Sequence, residues 1–146
     1  MTMAAGCALV IASFVQPGVV AARAAHQQRP VASEKDARTP AQRKIDSQIL
    51  YEIYRRRGEA SRKGVPPGPT GVDVDGRGRA LVDVRAEVTP ALQKTIRSVG
   101  GVIMSSSAEY RSIIARVPLL SLERLAADAT VRFIAPVARA TTNDRK

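Results

Sequence analysis

Within residues 80–137 the apolar positions change period in a set order. The period is two, then about 3.6, then two in two successive stretches, then about 3.6, then two again, and nothing else in the chain constrains its fold as strongly. Residues 80–88 alternate as a strand, with Val82, Val84, Ala86 and Val88 on one face. Thr89-Pro90 then offers a capping side chain and a first helical residue that has no N–H to satisfy. Leu92, Ile96 and Val99 follow on one helical face, and Gly100-Gly101 ends the helix. Residues 102–104 predict a short strand, residues 105–109 a polar turn, and residues 110–117 a third strand that Pro118 stops. Ser121 can cap a second helix carrying Leu122, Leu125 and Ala126, and residues 131–137 read as the last strand.

Strand, helix, strand, strand, helix, strand predicts an α+β domain of ferredoxin-like topology, a four-stranded antiparallel sheet with both helices on one face. Simple alternation turns Val102, Met104, Ile113, Ala115, Phe133 and Ala135 toward the helices. Ile103, Ile114 and Ile134 then point the other way, beside Leu81 and among Asp83, Arg85, Ser112, Arg116 and Arg132. A solvated sheet face should be polar. An apolar centre inside a charged rim is instead the anatomy of an interface, so these three isoleucines are the predicted partner surface.

Upstream, Thr39-Pro40 repeats the cap-plus-Pro start, and Ile45, Ile49 and Ile53 with Leu50 make a narrow apolar stripe that Gly58 closes. Residues 39–57 are therefore expected as a separate amphipathic helix. Residues 58–79 contain six Gly and three Pro and are expected as a linker. Residues 26–38 are polar and aperiodic, an expected disordered stretch. Before them, an apolar run over residues 4–15 is too short to span a bilayer core, which needs about 20 residues. It has the length of a secretory signal's apolar region, and Ala22-Arg23-Ala24 has the small-x-small form of a cleavage site. Residues 1–25 are expected to be a signal peptide with Ala22 and Ala24 as its cleavage-site residues and a mature chain starting near Ala25, which leaves no stable membrane anchor and a secreted or periplasmic product.

Chemistry is sparse. One Cys and one His cannot supply the usual zinc ligand set or a disulfide, and His26 lies next to the processing segment. Asp73-Val74-Asp75-Gly76 has part of a calcium-loop pattern, but that frame puts Gly71 at the first ligand position and Val82 at the twelfth. No metal, cofactor or catalytic residue is expected. The formal charge of +10 is spread along the chain, and its densest cluster, Arg55-Arg56-Arg57 with Arg62-Lys63, sits where a helix end favours cations. With no aromatic on the first strand and only Tyr110 beside the third, stacking on nucleic-acid bases is not expected.

Certain stretches carry a resemblance: residues 44–50 (KIDSQIL), 82–86 (VDVRA), 100–102 (GGV), 112–119 (SIIARVPL) and 131–136 (VRFIAP). In this order and spacing, over residues 40–142, the chain resembles the N-terminal prodomain region of bacterial subtilisin-like serine peptidases. The resemblance implies an intramolecular chaperone and inhibitor whose sheet packs on the peptidase domain, in cis or in trans, while the segment after the last strand lies in the active-site cleft. On that reading Ala138, Arg139, Ala140, Thr141 and Thr142 form a substrate-like strand, as an extended chain can add to a cleft edge. Glu109, in the predicted polar turn, is a further contact candidate, since a carboxylate suits a helix N-terminus. No Asp, His or Ser motif of a peptidase domain accompanies these stretches, so the chain itself is expected not to be an enzyme. The alternative is a small ferredoxin-like regulatory or homodimerising module using the same apolar face.

Overall fold

The computed structural model describes residues 33–137. The signal region with Ala22 and Ala24, and the tail from Ala138 onward, lie outside the described residues. Residues 33–38, expected as disordered, form a hydrogen-bonded turn: Asp36 N–H bonds to the Ser33 carbonyl, and Arg38 pairs with Glu34 at 2.7 Å.

Thr39 opens α1 (Pro40–Arg43) with a capping box. Its Oγ1 accepts from the Gln42 N–H, and Gln42 Oε1 accepts from the Thr39 N–H. The helix expected over 39–57 then breaks. At Ile45 the backbone becomes a strand-like bridge parallel to Ile134, which donates its N–H to the Lys44 carbonyl at 2.7 Å and accepts from the Asp46 N–H at 2.9 Å. Asp46 next caps α2 (Ser47–Arg56), its carboxylate accepting from the Gln48 N–H. Ile45, Ile49, Leu50, Ile53 and Tyr54 are fully buried in one cluster with the sheet residues. This segment is therefore not separate from the sheet domain; it supplies part of the core. Nor does the stretch 58–79 hang free. Val65, Val72 and Val74 pack against the core, Val74 bridges Ala80, and Arg55 Nη2 donates to the Pro66 carbonyl.

The sheet consists of β1 (Arg79–Ala86), β2 (Val102–Ser107), β3 (Ser112–Pro118) and β4 (Val131–Pro136) in the order β2-β3-β1-β4, every neighbouring pair antiparallel. The β1–β2 connection is α3 (Pro90–Ser98), where Thr89 caps the Leu92 N–H as expected. Gly100 closes it at φ 85°, a left-handed turn suited to glycine. Between β3 and β4 the chain makes a 3₁₀ turn, Leu119–Ser121, and α4 (Leu122–Ala126). Ser121 makes no capping bond, because it belongs to that turn and not to an extended cap position. The polar turn expected over 105–109 moves as well. Ser105, Ser106 and Ser107 complete β2, and the hairpin turns over residues 108–111. Altogether the described residues form an α+β domain with a four-stranded antiparallel sheet and its helices.

Ala80, Val82, Val84, Ala86, Ile113, Ala115 and Val117 face the helices and are completely buried against Leu92, Ile96, Leu122, Leu125 and the α2 stripe. Polar side chains tie the helical layer together. Glu123 on α4 accepts from Gln42 of α1 and from Arg57 just beyond α2, both at 2.6 Å. Tyr54 donates its hydroxyl to Glu34, and burial together with that carboxylate pushes its pKa up to about 12, so the phenol stays protonated.

Candidate functional site: the open face of the sheet

Two β-bulges decide which residues face away from the helices. One lies in β2 between Ile103 and Ser105, the other in the β1–β4 pairing at Arg85/Ala86. A bulge puts an extra residue into one strand and so flips the phase of everything beyond it. In β4, Val131 points inward as alternation demands, but Ile134, opposite Val84, does so too. Phe133, opposite Arg85, therefore faces outward and is 39% exposed. In β2, Ile103 lies opposite the buried Ala115 and packs on the core, while Val102 opposite Arg116 is 47% exposed and Met104 in the bulge is 62% exposed.

The predicted partner surface is corrected accordingly. Ile134 is a core residue at the contact with Ile45, and Ile103 is a partly buried residue of the core side. Only Ile114, half-buried opposite Asp83, is on the open face as expected. Val102, Met104 and Phe133, assigned to the helix side by alternation, take the places of the other two. Phe133-Ile134 and Val102-Ile103-Met104 are runs of adjacent large apolar residues, so composition left the phase of both strands undetermined. Glu109 is exposed in the β2–β3 turn. Ala138, Arg139, Ala140, Thr141 and Thr142 lie outside the described residues.

The strand register lays the open face out in rows. One crosses from Val102 over Arg116 to Leu81, the next from Ser105 over Ile114 and Asp83 to Ala135, and the third from Ser107 over Ser112 and Arg85 to Phe133. The expected apolar centre with a charged rim is thus not what forms. Charged groups run down the two central strands, and the most exposed apolar groups stand on the outer strands β2 and β4. The polar groups are mutually engaged. Asp83 accepts from the Ser112 hydroxyl at 2.6 Å and pairs with Arg85 at 2.8 Å. Arg116 pairs with Asp73 at 3.3 Å, while its Nη1 is buried with no hydrogen-bond partner among the described residues.

At the end of the sheet where β1 finishes and β3 and β4 begin, Glu87, Arg111 and Arg132 line a cavity of about 290 Å³. Three adjacent strand ends bring them together: the Ala86 N–H bonds to the Arg111 carbonyl, and the Glu87 N–H to the Thr130 carbonyl. Sequence reasoning noted only Arg132 of the three, since they lie 21 or more positions apart. Among the described residues, no three His, Cys, Asp or Glu side chains are placed to hold a metal ion, and no helix is long and apolar enough to cross a membrane.

Comparison with protein-family profiles, characterised proteins and solved structures finds no match for this chain.

Proposed function

We propose that this chain is a non-catalytic, prodomain-like module that docks its open sheet face on a subtilisin-like serine peptidase and threads the segment after Pro136 into the peptidase cleft, acting as chaperone and inhibitor in the secreted or periplasmic space. The observation that carries the reading is the open face itself. Among the described residues the buried faces of α2, α3 and α4 pack on the opposite side, yet Val102, Met104 and Phe133 stand exposed on it beside Ile114. Such a group of large apolar residues on an otherwise paired polar sheet gains most when a partner covers it. Topology supports the reading too: strand, helix, strand, strand, helix, strand with sheet order β2-β3-β1-β4 is the arrangement expected of a ferredoxin-like domain. Edge strand β4 runs directly into residues 138–146, so a docked sheet would aim that segment along the partner's surface.

The test is a titration of a purified bacterial subtilisin-like peptidase, its serine blocked for binding and free for activity, with the full chain. Val102→Ser, Ile114→Ser and Phe133→Ser together should weaken binding by orders of magnitude, because each large apolar group buried contributes roughly 1.5–3 kcal/mol. Deleting residues 138–146 should relieve inhibition while docking persists. A chain that ignores the peptidase but sediments as a dimer, dispersed by the same triple substitution, would establish the homodimerising alternative instead.

A further inference from the structure

We propose that the cavity between Glu87, Arg111 and Arg132 is a carboxylate receptor, and that in the docked state it takes an Asp or Glu side chain of the protein covering the open face; the second part rests on the docking reading above. Arg111 is adjacent to Ser112, which lies opposite Arg85, and Arg85 lies opposite Phe133, the neighbour of Arg132. The cavity is therefore at the Phe133 end of that face. Two arginines, whose planar guanidinium forks match a carboxylate, line it, Arg111 from the β2–β3 turn and Arg132 from β4. Among the described residues neither arginine has an ion-pair partner, whereas Arg85 in the adjoining row and Arg116 at the far end of the face are already paired. Glu87 in the lining leaves it with a net single positive charge, which suits a monoanionic carboxylate better than a phosphate dianion. About 290 Å³ holds a side chain and not a nucleotide.

Backbone geometry singles out the same place. Arg111 is the one non-glycine among the described residues with a left-handed φ, at 49°. Strain of this kind persists where the surroundings over-determine it and points toward function. A second basic hollow among the described residues, lined by Glu59, Arg62 and Lys63, is built differently. Its residues come from one turn, and the Lys63 ammonium already sits 4.7 Å over the Tyr54 ring.

The experiment uses glutarate as a probe on the full chain, followed by backbone NMR shifts, and runs the peptidase titration at several salt concentrations. Arg111→Asn tolerates the left-handed backbone, and Arg132→Gln keeps a polar side chain at an exposed site, so the double variant should fold. Glutarate at millimolar levels should shift residues 86–87, 111–112 and 131–133. The double variant should lose this response, and Arg62→Gln with Lys63→Gln should keep it. Association of the double variant with the peptidase should slow about tenfold at low salt and show a shallower salt dependence than the native chain. Absence of a glutarate shift, or its loss in the Arg62/Lys63 variant as well, overturns the receptor. If the Val102/Ile114/Phe133 variant loses binding while Arg111→Asn/Arg132→Gln binds with native rate and salt slope, the receptor's role in docking falls and the docking face stands. If neither variant alters peptidase binding, the docking reading falls, and the occupant proposed here falls with it.

Discussion

Gly101 has no room for a β-carbon: one built there would lie 2.7 Å from the Ile96 carbonyl oxygen and 2.8 Å from its Cγ2. The obstruction is partly backbone and cannot swing aside, so Gly101→Ala should cost about 1–3 kcal/mol in urea unfolding. Arg111 presents the reverse case. A left-handed L-residue costs roughly 1–2 kcal/mol, and glycine removes that strain at a smaller entropic loss. Arg111→Gly should therefore leave stability unchanged or raise it by up to about 1 kcal/mol in the same assay. Glu123 supplies the pH dependence. Burial pushes its carboxyl up, but the hydrogen bonds from Arg57 and Gln42 and the charges of Arg57 and Lys63 outweigh this and hold it below its usual 4.5. A depressed folded-state value means stability that is present above about 4.5 and lost as pH falls through the folded value. Glu123→Gln should therefore lower the melting temperature at neutral pH, and the gap to the native chain should close on acidification below that point.

Among the elements, the Lys44-to-Asp46 bridge to β4 matters most, because it joins the N-terminal helices to the sheet edge through backbone hydrogen bonds and places Ile45 against Ile134. Substitutions on the two faces of β4 should consequently part company. Ile134→Ser empties a fully buried site and should destabilise by about 2–5 kcal/mol, whereas Phe133→Ser next to it should stay near zero in the isolated chain. Equal effects in chemical denaturation would mean that the bulge at Arg85/Ala86 does not set the phase of the strand.

At the scale of the whole molecule, the sheet with α3 and α4 does not make a complete core. Ile45, Ile49, Leu50, Ile53 and Tyr54 close it from outside the strand–helix unit. A chain beginning at residue 79 should accordingly fail to fold cooperatively, seen as a collapsed amide NMR spectrum, while one beginning at residue 33 should fold, since a sheet module of about 60 residues has little core to lose. Within the sheet module, element type and order were legible in the sequence because they rest on local chemistry: alternation for β1 and β3, the Thr-Pro start of α3 and Gly100 after it. The break between α1 and α2 was not, because it is made by the backbone pairing of Ile45 with Ile134. The site was legible only in part. Ile114 keeps its predicted orientation because β3 is regular, while Ile103 and Ile134 exchange sides with Val102 and Phe133 because β2 and β4 are bulged. A run of neighbouring apolar residues satisfies either phase, and a bulge is chosen by the pairing of a whole strand against its neighbour, not by the residues that flank it. The clustering of Glu87, Arg111 and Arg132 likewise depends on which strand ends the sheet order sets side by side. Local periodicity by itself thus determined the strands and helices of the sheet module, and only the tertiary pairing decided which of their faces point outward, because strand phase is a property of two strands in register and not of one.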